Sequence, residues 1–182
     1  MQIRLAQPSD IEGIARVHVD TWRASYRGII PDSHLDSLSY EQREQRWRDN
    51  FAGFAPGTFM YVATDDDNRV IGFASGGPER DSDPAYKGEL YALYLLPSCH
   101  RHGIGRELTR IVARHLAKQG HSSMLVWVLA QNPSRKFYEV LGGQYLYDKS
   151  VTIGGAELIE VAYGWLDLDA LIHEHKITDS DQ

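Results

Sequence analysis

Chemistry is concentrated first in residues 89–106, ELYALYLLPSCHRHGIGR. An apolar, aromatic-rich run over residues 90–96 turns at Pro97 into a basic segment, residues 100–106, and an amphipathic helix pattern follows. A strand, a turn and a helix N-terminus put free backbone N–H groups and the positive end of a helix dipole at one point in space. Such a point binds phosphate. Gly103 and Gly105 have no Cβ to hold a ligand away, and His100, Arg101, His102 and Arg106 add donors around them. Two glycines at this spacing also mark ordinary turns, so the context carries the reading. The spacing is not that of a dinucleotide fingerprint, which needs a third glycine where Leu108 stands. It is not a Walker loop either, since neither Gly-Lys-Ser nor Gly-Lys-Thr occurs. His100 and His102 lack a cysteine or carboxylate partner at metal-ligand spacing, so no metal is expected. Cys99 has no base at a spacing that would mark it as a nucleophile.

The elements that must position this segment follow from periodicity. Residues 2–6 alternate polar and apolar, a short strand. Ser9 and Glu12 have capping-box spacing, and Ile11, Ile14, Ala15, Val17, Val19 and Trp22 support a helix to about residue 26, closed by Gly28. A second helical region spans residues 33–51, with a break near 37–39. Residues 58–64 and 69–75 form a hairpin around the turn cluster Asp65-Asp66-Asp67-Asn68. Residues 76–88 read as a long polar loop. A helix over residues 103–119, a strand over 123–129 and a short helix over 134–141 come next. Two strands, 144–153 and 157–165, are joined by Gly154-Gly155. The order predicts one α/β domain: a mixed, twisted sheet of about seven strands with helices on both faces. Its body covers residues 1–166. Residues 167–182 form a tail with one weak helical stretch at 168–173, and His173 and His175 read as solvated.

Bulk properties exclude several classes. A length of 182 residues suits one domain with a real core. The net charge of −6 gives no support to nucleic-acid binding, which wants a basic face. It is compatible with a cationic substrate, which Asp20, Glu79, Asp81 or Asp83 would attract. One cysteine rules out an intramolecular disulfide and suits a reducing compartment. No apolar run has the length of a membrane span, and the first residues lack the apolar core of a signal peptide. The expected location is the cytoplasm.

LYALYLLPSCHRHGIGRELTRIVARHL resembles the cofactor-binding signature of the GNAT superfamily of N-acetyltransferases: strand, proline, Gln or Arg, two residues, Gly, one residue, Gly or Ala. About 30 residues on, LAQNPSRKFYEVLGGQ resembles the second signature of that superfamily, an Asn, a Phe-Tyr pair and Leu-Gly-Phe, here Asn132, Phe137, Tyr138, Leu141, Gly142 and Gly143. The resemblance covers residues 2–166. It departs at His100, where Gln or Arg is usual, and at Gly143, where Phe is usual.

The resemblance implies a partly splayed sheet and acetyl-CoA as cosubstrate. The main chain of Leu93, Tyr94 and Leu95 would pair with the pantetheine arm. His100, Arg101, His102, Gly103, Ile104, Gly105 and Arg106 would hold the pyrophosphate, and Asn132 would contact the cofactor. Tyr138 would protonate the leaving thiolate. It also implies that the first helix and its connector, with Trp22 and Tyr26, flank the acceptor, and that many members dimerise through late strands.

Chemistry adds a requirement. An amine of lysine type, with pKa about 10.4, loses its proton at neutral pH at a cost of roughly 4 to 5 kcal/mol. A carboxylate acting through water removes it. Glu89, at the start of the strand that lines the cleft, is the candidate. The expected reaction is direct attack by a primary amine in a ternary complex, with a small molecule as acceptor. A protein N-terminus or lysine is the second acceptor class, and a non-catalytic acyl-CoA sensor is the contrasting one.

Overall fold

In the computed structural model, which describes residues 1–173, seven strands form one mixed sheet. They are β1 (Gln2–Leu5), β2 (Phe59–Thr64), β3 (Val70–Pro78), β4 (Gly88–Leu95), β5 (Met124–Leu129), β6 (Gln144–Ile153) and β7 (Ala156–Trp165). The spatial order is β1-β2-β3-β4-β5-β7-β6. Every neighbouring pair is antiparallel except β4 and β5, which are parallel. A parallel pair needs a crossover, and α4 (Ile104–Lys118) supplies it. The expected polar loop is shorter than its sequence suggests, because β3 runs on through Gly76 and Gly77 to Pro78.

Helices cover both faces. Leu108, Val112, Ala113 and Leu116 of α4 pack on Leu90, Met124 and Val126. On the other face α1 (Ile11–Ser25) and α3 (Tyr40–Ala52) pack over Met60, Val62 and Phe73, through Ile14, Val17, Trp47 and Phe51. The expected second helical region is two helices, α2 (Asp32–Asp36) and α3, split at 37–39. Ser39 caps α3 by accepting from the Gln42 amide. The Ser9–Glu12 box does not form. Asp10 is the capping acid instead: it accepts from the Gln7 amide at 2.8 Å and from Arg4 at 2.6 and 2.8 Å, which ties the start of α1 to β1.

β4 and β5 stay in register for three pairs only, Gly88↔Met124, Glu89↔Leu125 and Leu90↔Val126. Beyond Leu90 the strands part. The cause lies on the other side of β4. Ser75 pairs with Ala92 and Gly76 with Leu90, so Tyr91 is a bulged residue with no partner. A bulge bends its strand and changes which face the following side chains occupy. Leu90, Leu93 and Leu95 accordingly lie on the α4 side, while Ala92 and Tyr94 lie on the α1 side.

The last element is the helical stretch expected at residues 168–173. After β7, α6 (Leu168–His173) packs against α4, with Leu168 at 1% and Leu171 at 2% exposure in the main core. The fold therefore continues past residue 166. The polar residues after 173, His175 among them, lie outside the described residues. Gly143 also finds its reason here. A Cβ at that position would come within 2.8 Å of the Trp165 ring, so the indole fills the room that a phenylalanine would need.

His18 of α1 is 7% exposed and ringed by Trp22, Trp47, Phe73 and Tyr94. Its Nδ1 accepts from Trp47 Nε1 at 3.2 Å. Burial, then Arg43 and Arg46, push its pKa down to about 3. The folded state thus refuses a proton that the unfolded chain takes below about 6.5. Stability should fall with pH between 6.5 and 3, by up to ~1.4 kcal/mol per unit. His18→Phe should flatten that limb in urea titrations at stepped pH. For α6, Leu171→Ala should cost about 2–5 kcal/mol in the same assay.

Candidate active site

The parting of β4 and β5 opens a cleft of about 1030 Å³. It is lined by fourteen of the fifteen residues expected from sequence: Trp22, Tyr26, Leu93, Tyr94, Leu95, the run from His100 to Arg106, Asn132 and Tyr138. Glu89 is the exception.

At one end lies the N-terminus of α4. Gly103 is its cap, in the left-handed region at φ 80°, and Arg101 is left-handed too at φ 63°. Among the described residues, the amides of Arg101 through Arg106 donate to no backbone carbonyl. Six such donors at a positive dipole end suit a diphosphate. A Cβ at Gly105 would meet nothing in the chain closer than Phe137 at 3.5 Å, so internal packing does not require glycine there. The missing Cβ leaves the backbone there open to close approach from the cleft. His100 behaves differently from its neighbours. Its amide donates to the Pro97 carbonyl at 3.2 Å and its Nε2 lies 2.9 Å from the Leu95 carbonyl. The histidine that replaces the usual Gln or Arg closes the turn after β4, while the residues that follow present the free amides.

Tyr138 sits on α5 (Arg135–Val140), buried to 7% exposure. Asn132 places that helix. Its Oδ1 accepts from the Ser134 amide at 2.9 Å and its own amide donates to Leu129 at 2.9 Å, so it turns the chain from β5 into α5. Tyr26, Tyr94 and Tyr138 gather at the centre of the cleft and interact with one another, and Tyr26 also reaches Asn132. Burial, then Tyr94, raises the Tyr138 phenol, and burial leads the rise at Tyr26 and Tyr94 as well. A phenol in this setting keeps its proton at neutral pH and is available as a donor.

The face of the sheet beyond Tyr94 is the third part. Trp22 packs edge-on against Tyr26 with centroids 5.2 Å apart. The Trp22 Nε1, near the Tyr94 hydroxyl but outside hydrogen-bond geometry, and the Trp127 Nε1 are buried donors without a hydrogen-bond partner. Arg80 lies 4.4 Å over the Tyr91 ring and Lys149 lies 3.9 Å over the Trp127 ring. Glu89 is 2% exposed. One of its oxygens accepts from Arg80 Nε at 3.0 Å and from the Arg80 amide at 3.3 Å, and the other accepts from the same guanidinium. The loop acids expected to attract an ammonium are otherwise engaged. Glu79 accepts from the amides of Asp81 and Asp83 at 2.7 Å each, Asp81 pairs with Lys149 at 2.7 Å, and Asp83 caps the turn at Ala85. Asp20 accepts from the Tyr40 hydroxyl at 2.5 Å.

Sequence reasoning missed Arg80, Tyr91, Trp127, Lys149 and Glu160, all of which line the cleft. The one signal for Trp127 was a tryptophan inside an otherwise aliphatic strand, and Glu160 carried none. Among the described residues no group of three His, Cys, Asp or Glu could hold a metal, and no helix is long and apolar enough to cross a membrane.

The family model for FR47-like proteins matches residues 83–152, which contain the parting strands, the amide cradle and Tyr138. An uncharacterised N-acetyltransferase of Bacillus subtilis, YuaI, is 44% identical over 170 residues, 93% of this chain and 95% of the relative. The chain belongs to the GNAT superfamily of N-acetyltransferases. Two solved structures share its fold. The PaiA N-acetyltransferase of Thermoplasma acidophilum, in complex with coenzyme A, is 21% identical and matches 91% of this chain and 100% of that one with TM-score 0.63. The YncA acetyltransferase of Salmonella typhimurium, with acetyl-CoA, is 20% identical and matches 100% and 99% with TM-score 0.66.

Gly105→Val should fill the cradle without disturbing the core. Calorimetry should find coenzyme A bound about tenfold more weakly, near 1.4 kcal/mol. The unfolding midpoint should move little.

Proposed function

We propose that the protein transfers an acetyl group from acetyl-CoA to the primary amine of a small molecule, by direct attack in a ternary complex. The observation that carries this reading is the parted β4–β5 pair, with free amides at one end and a buried phenol at its centre. The amides of residues 101–106 hold the diphosphate. The exposed edge of β4 at Leu93, Tyr94 and Leu95 pairs with the amide-bearing arm as an added strand would. Asn132 contacts the same arm from the β5–α5 turn. The Leu95 amide polarises the thioester carbonyl as negative charge develops on its oxygen.

The amine nitrogen, once neutral, bonds to the carbonyl carbon, and the cationic nitrogen so formed releases its extra proton to water. The carbon–sulfur bond then breaks, and Tyr138 gives its phenolic proton to the departing thiolate. The phenol recovers a proton from solvent after the products leave. Trp22 and Tyr26 wall the acceptor side. A small acceptor is favoured over a peptide by the roof of that side. α2 meets the β6–β7 hairpin there, with Ile30 and Leu35 packed among Val151, Ile153 and Leu158. The approach is close enough that a Cβ on Gly154 would lie 2.6 Å from His34. An extended chain has little room to cross the mouth.

A thiol-release screen of acetyl-CoA against polyamines, amino sugars, amino acids and N-terminal peptides, followed by mass spectrometry, tests the reading. Turnover on a small amine is expected. Tight acetyl-CoA binding with no turnover on any amine would instead identify a sensor. Tyr138→Phe should lower kcat by about 10²- to 10⁴-fold with acetyl-CoA affinity nearly unchanged. Retention of full turnover and of the wild-type pH profile by that variant would remove Tyr138 from its role.

A further inference from the structure

The amine must lose a proton before it attacks, and the structure offers two carboxylates in the neighbourhood. Glu89 is held on both oxygens by Arg80, and it does not line the cleft. Its placement is that of a strut. Arg80, fixed by that pairing, lies over Tyr91 and forms wall.

Glu160 is placed differently. On β7 it stands opposite Leu129 of β5 and Lys149 of β6, and it lines the cleft. Leu129 packs with Trp22, Tyr26 and Ile30, the residues on the acceptor side. Residues opposite each other on neighbouring strands share a face, so Glu160 points the same way. It is half-buried, and no hydrogen bond or ion pair engages its carboxylate among the described residues. The charged groups facing it are Lys149 from β6, Arg80 and Asp81 from the β3–β4 loop, and Glu89 from β4. Four of these neutralise one another, as Arg80 with Glu89 and Lys149 with Asp81. Glu160 is left as the uncompensated carboxylate at the mouth. Burial, ahead of all these charges, raises its carboxyl above the usual range. That moves it toward the pH at which a carboxylate serves best as a base. Its charge is also felt at the Tyr94 hydroxyl, in the phenol group that contains Tyr138.

We infer that Glu160 is the carboxylate that takes the acceptor's proton, across at most one water, while Glu89 positions Arg80 as part of the pocket wall. In this step an ammonium N–H bond breaks and the proton passes to a Glu160 oxygen. The freed nitrogen lone pair attacks the thioester carbon, the nitrogen sheds its second proton to water as the carbon–sulfur bond breaks, and Glu160 later gives its own proton to solvent. The inference rests on the acetyltransferase reading above.

The test uses the full chain and whichever screened amine turns over fastest, with kcat/KM measured from pH 6 to 10. Glu160→Gln should lose about 10²- to 10⁴-fold at pH 7. Its deficit should shrink about tenfold per pH unit on the alkaline side, as solution itself supplies neutral amine. Acetyl-CoA affinity and the unfolding midpoint should stay at wild-type values, which a purely structural role would not produce. Glu160→Asp should recover part of the rate with a wild-type-shaped profile. Glu89→Gln should lower stability or raise KM but keep the shape of that profile. A Glu160→Gln variant with wild-type rate and profile overturns the inference, as does a Glu89→Gln variant that alone shows the tenfold-per-unit recovery. Failure of the wild type on every amine would sink the acetyltransferase reading itself, a separate result from either variant outcome.

Discussion

The extra residue at Tyr91 is the constraint on which the site depends. β4 has antiparallel β3 on one side and parallel β5 on the other, and only the first partnership survives along its whole length. The bulge bends β4 away after three pairs with β5, and the main chain from Leu93 to Leu95 is left facing a gap. Unpaired strand edges inside a fold are costly when nothing satisfies them. In the proposed function the gap takes the cofactor, whose arm carries amides of its own that complete the sheet. The same residue supplies a floor. Because Tyr91 is out of register, its ring is free to carry Arg80 at the cleft.

A second dependence concerns how the two ends of the cleft are held at a fixed distance. α4 is clamped between the sheet and α6, through Leu108, Val112 and Leu116 on one side and Leu168 and Leu171 on the other. Its N-terminus therefore cannot retreat from the turn after β4. His100 fixes that turn from within by engaging the Leu95 carbonyl. At the other end, Asn132 uses its amide oxygen and its backbone to aim α5, so Tyr138 reaches the gap from beneath. The cradle and the phenol thus belong to two helices docked on the same sheet. Their separation is set by packing and does not rely on loop conformation.

The legible parts of this design were the local ones. The cradle could be read because strand, proline, basic residues, two glycines and a helix pattern all fall within eighteen residues. Tyr138 and Asn132 could be read because α5 follows β5 directly. The bulge could not, since YALYLL is apolar on both faces and has no alternation to break. Glu160 was hidden for a different reason. Its neighbours are set by the order β5-β7-β6, a non-local pairing, and only in that order does it share a face with Leu129 and Trp22. Ser9 and Glu12 were misread as a cap because Asp10 is claimed by Arg4 across to β1, a contact that local spacing cannot reveal. The helix at 168–173 was legible, but two leucines in six residues carry too little pattern to show that it docks on the core.

Glu89 shows how sequence position and chemical role separate. At the start of β4 it lies close to the cleft along the chain, which made it the natural candidate for proton removal. In three dimensions it lies on the part of β4 that still pairs with β5, below the parting. A carboxylate there is enclosed, and enclosure is tolerable only with a partner, which Arg80 provides. Two strands over, Glu160 stands beside the same gap at the level where the strands have already separated, open enough to meet an ammonium and buried enough to be raised by desolvation. The point at which two strands part thus sorts two similar acids into different tasks. The one below it braces the wall, and the one beside it faces the acceptor.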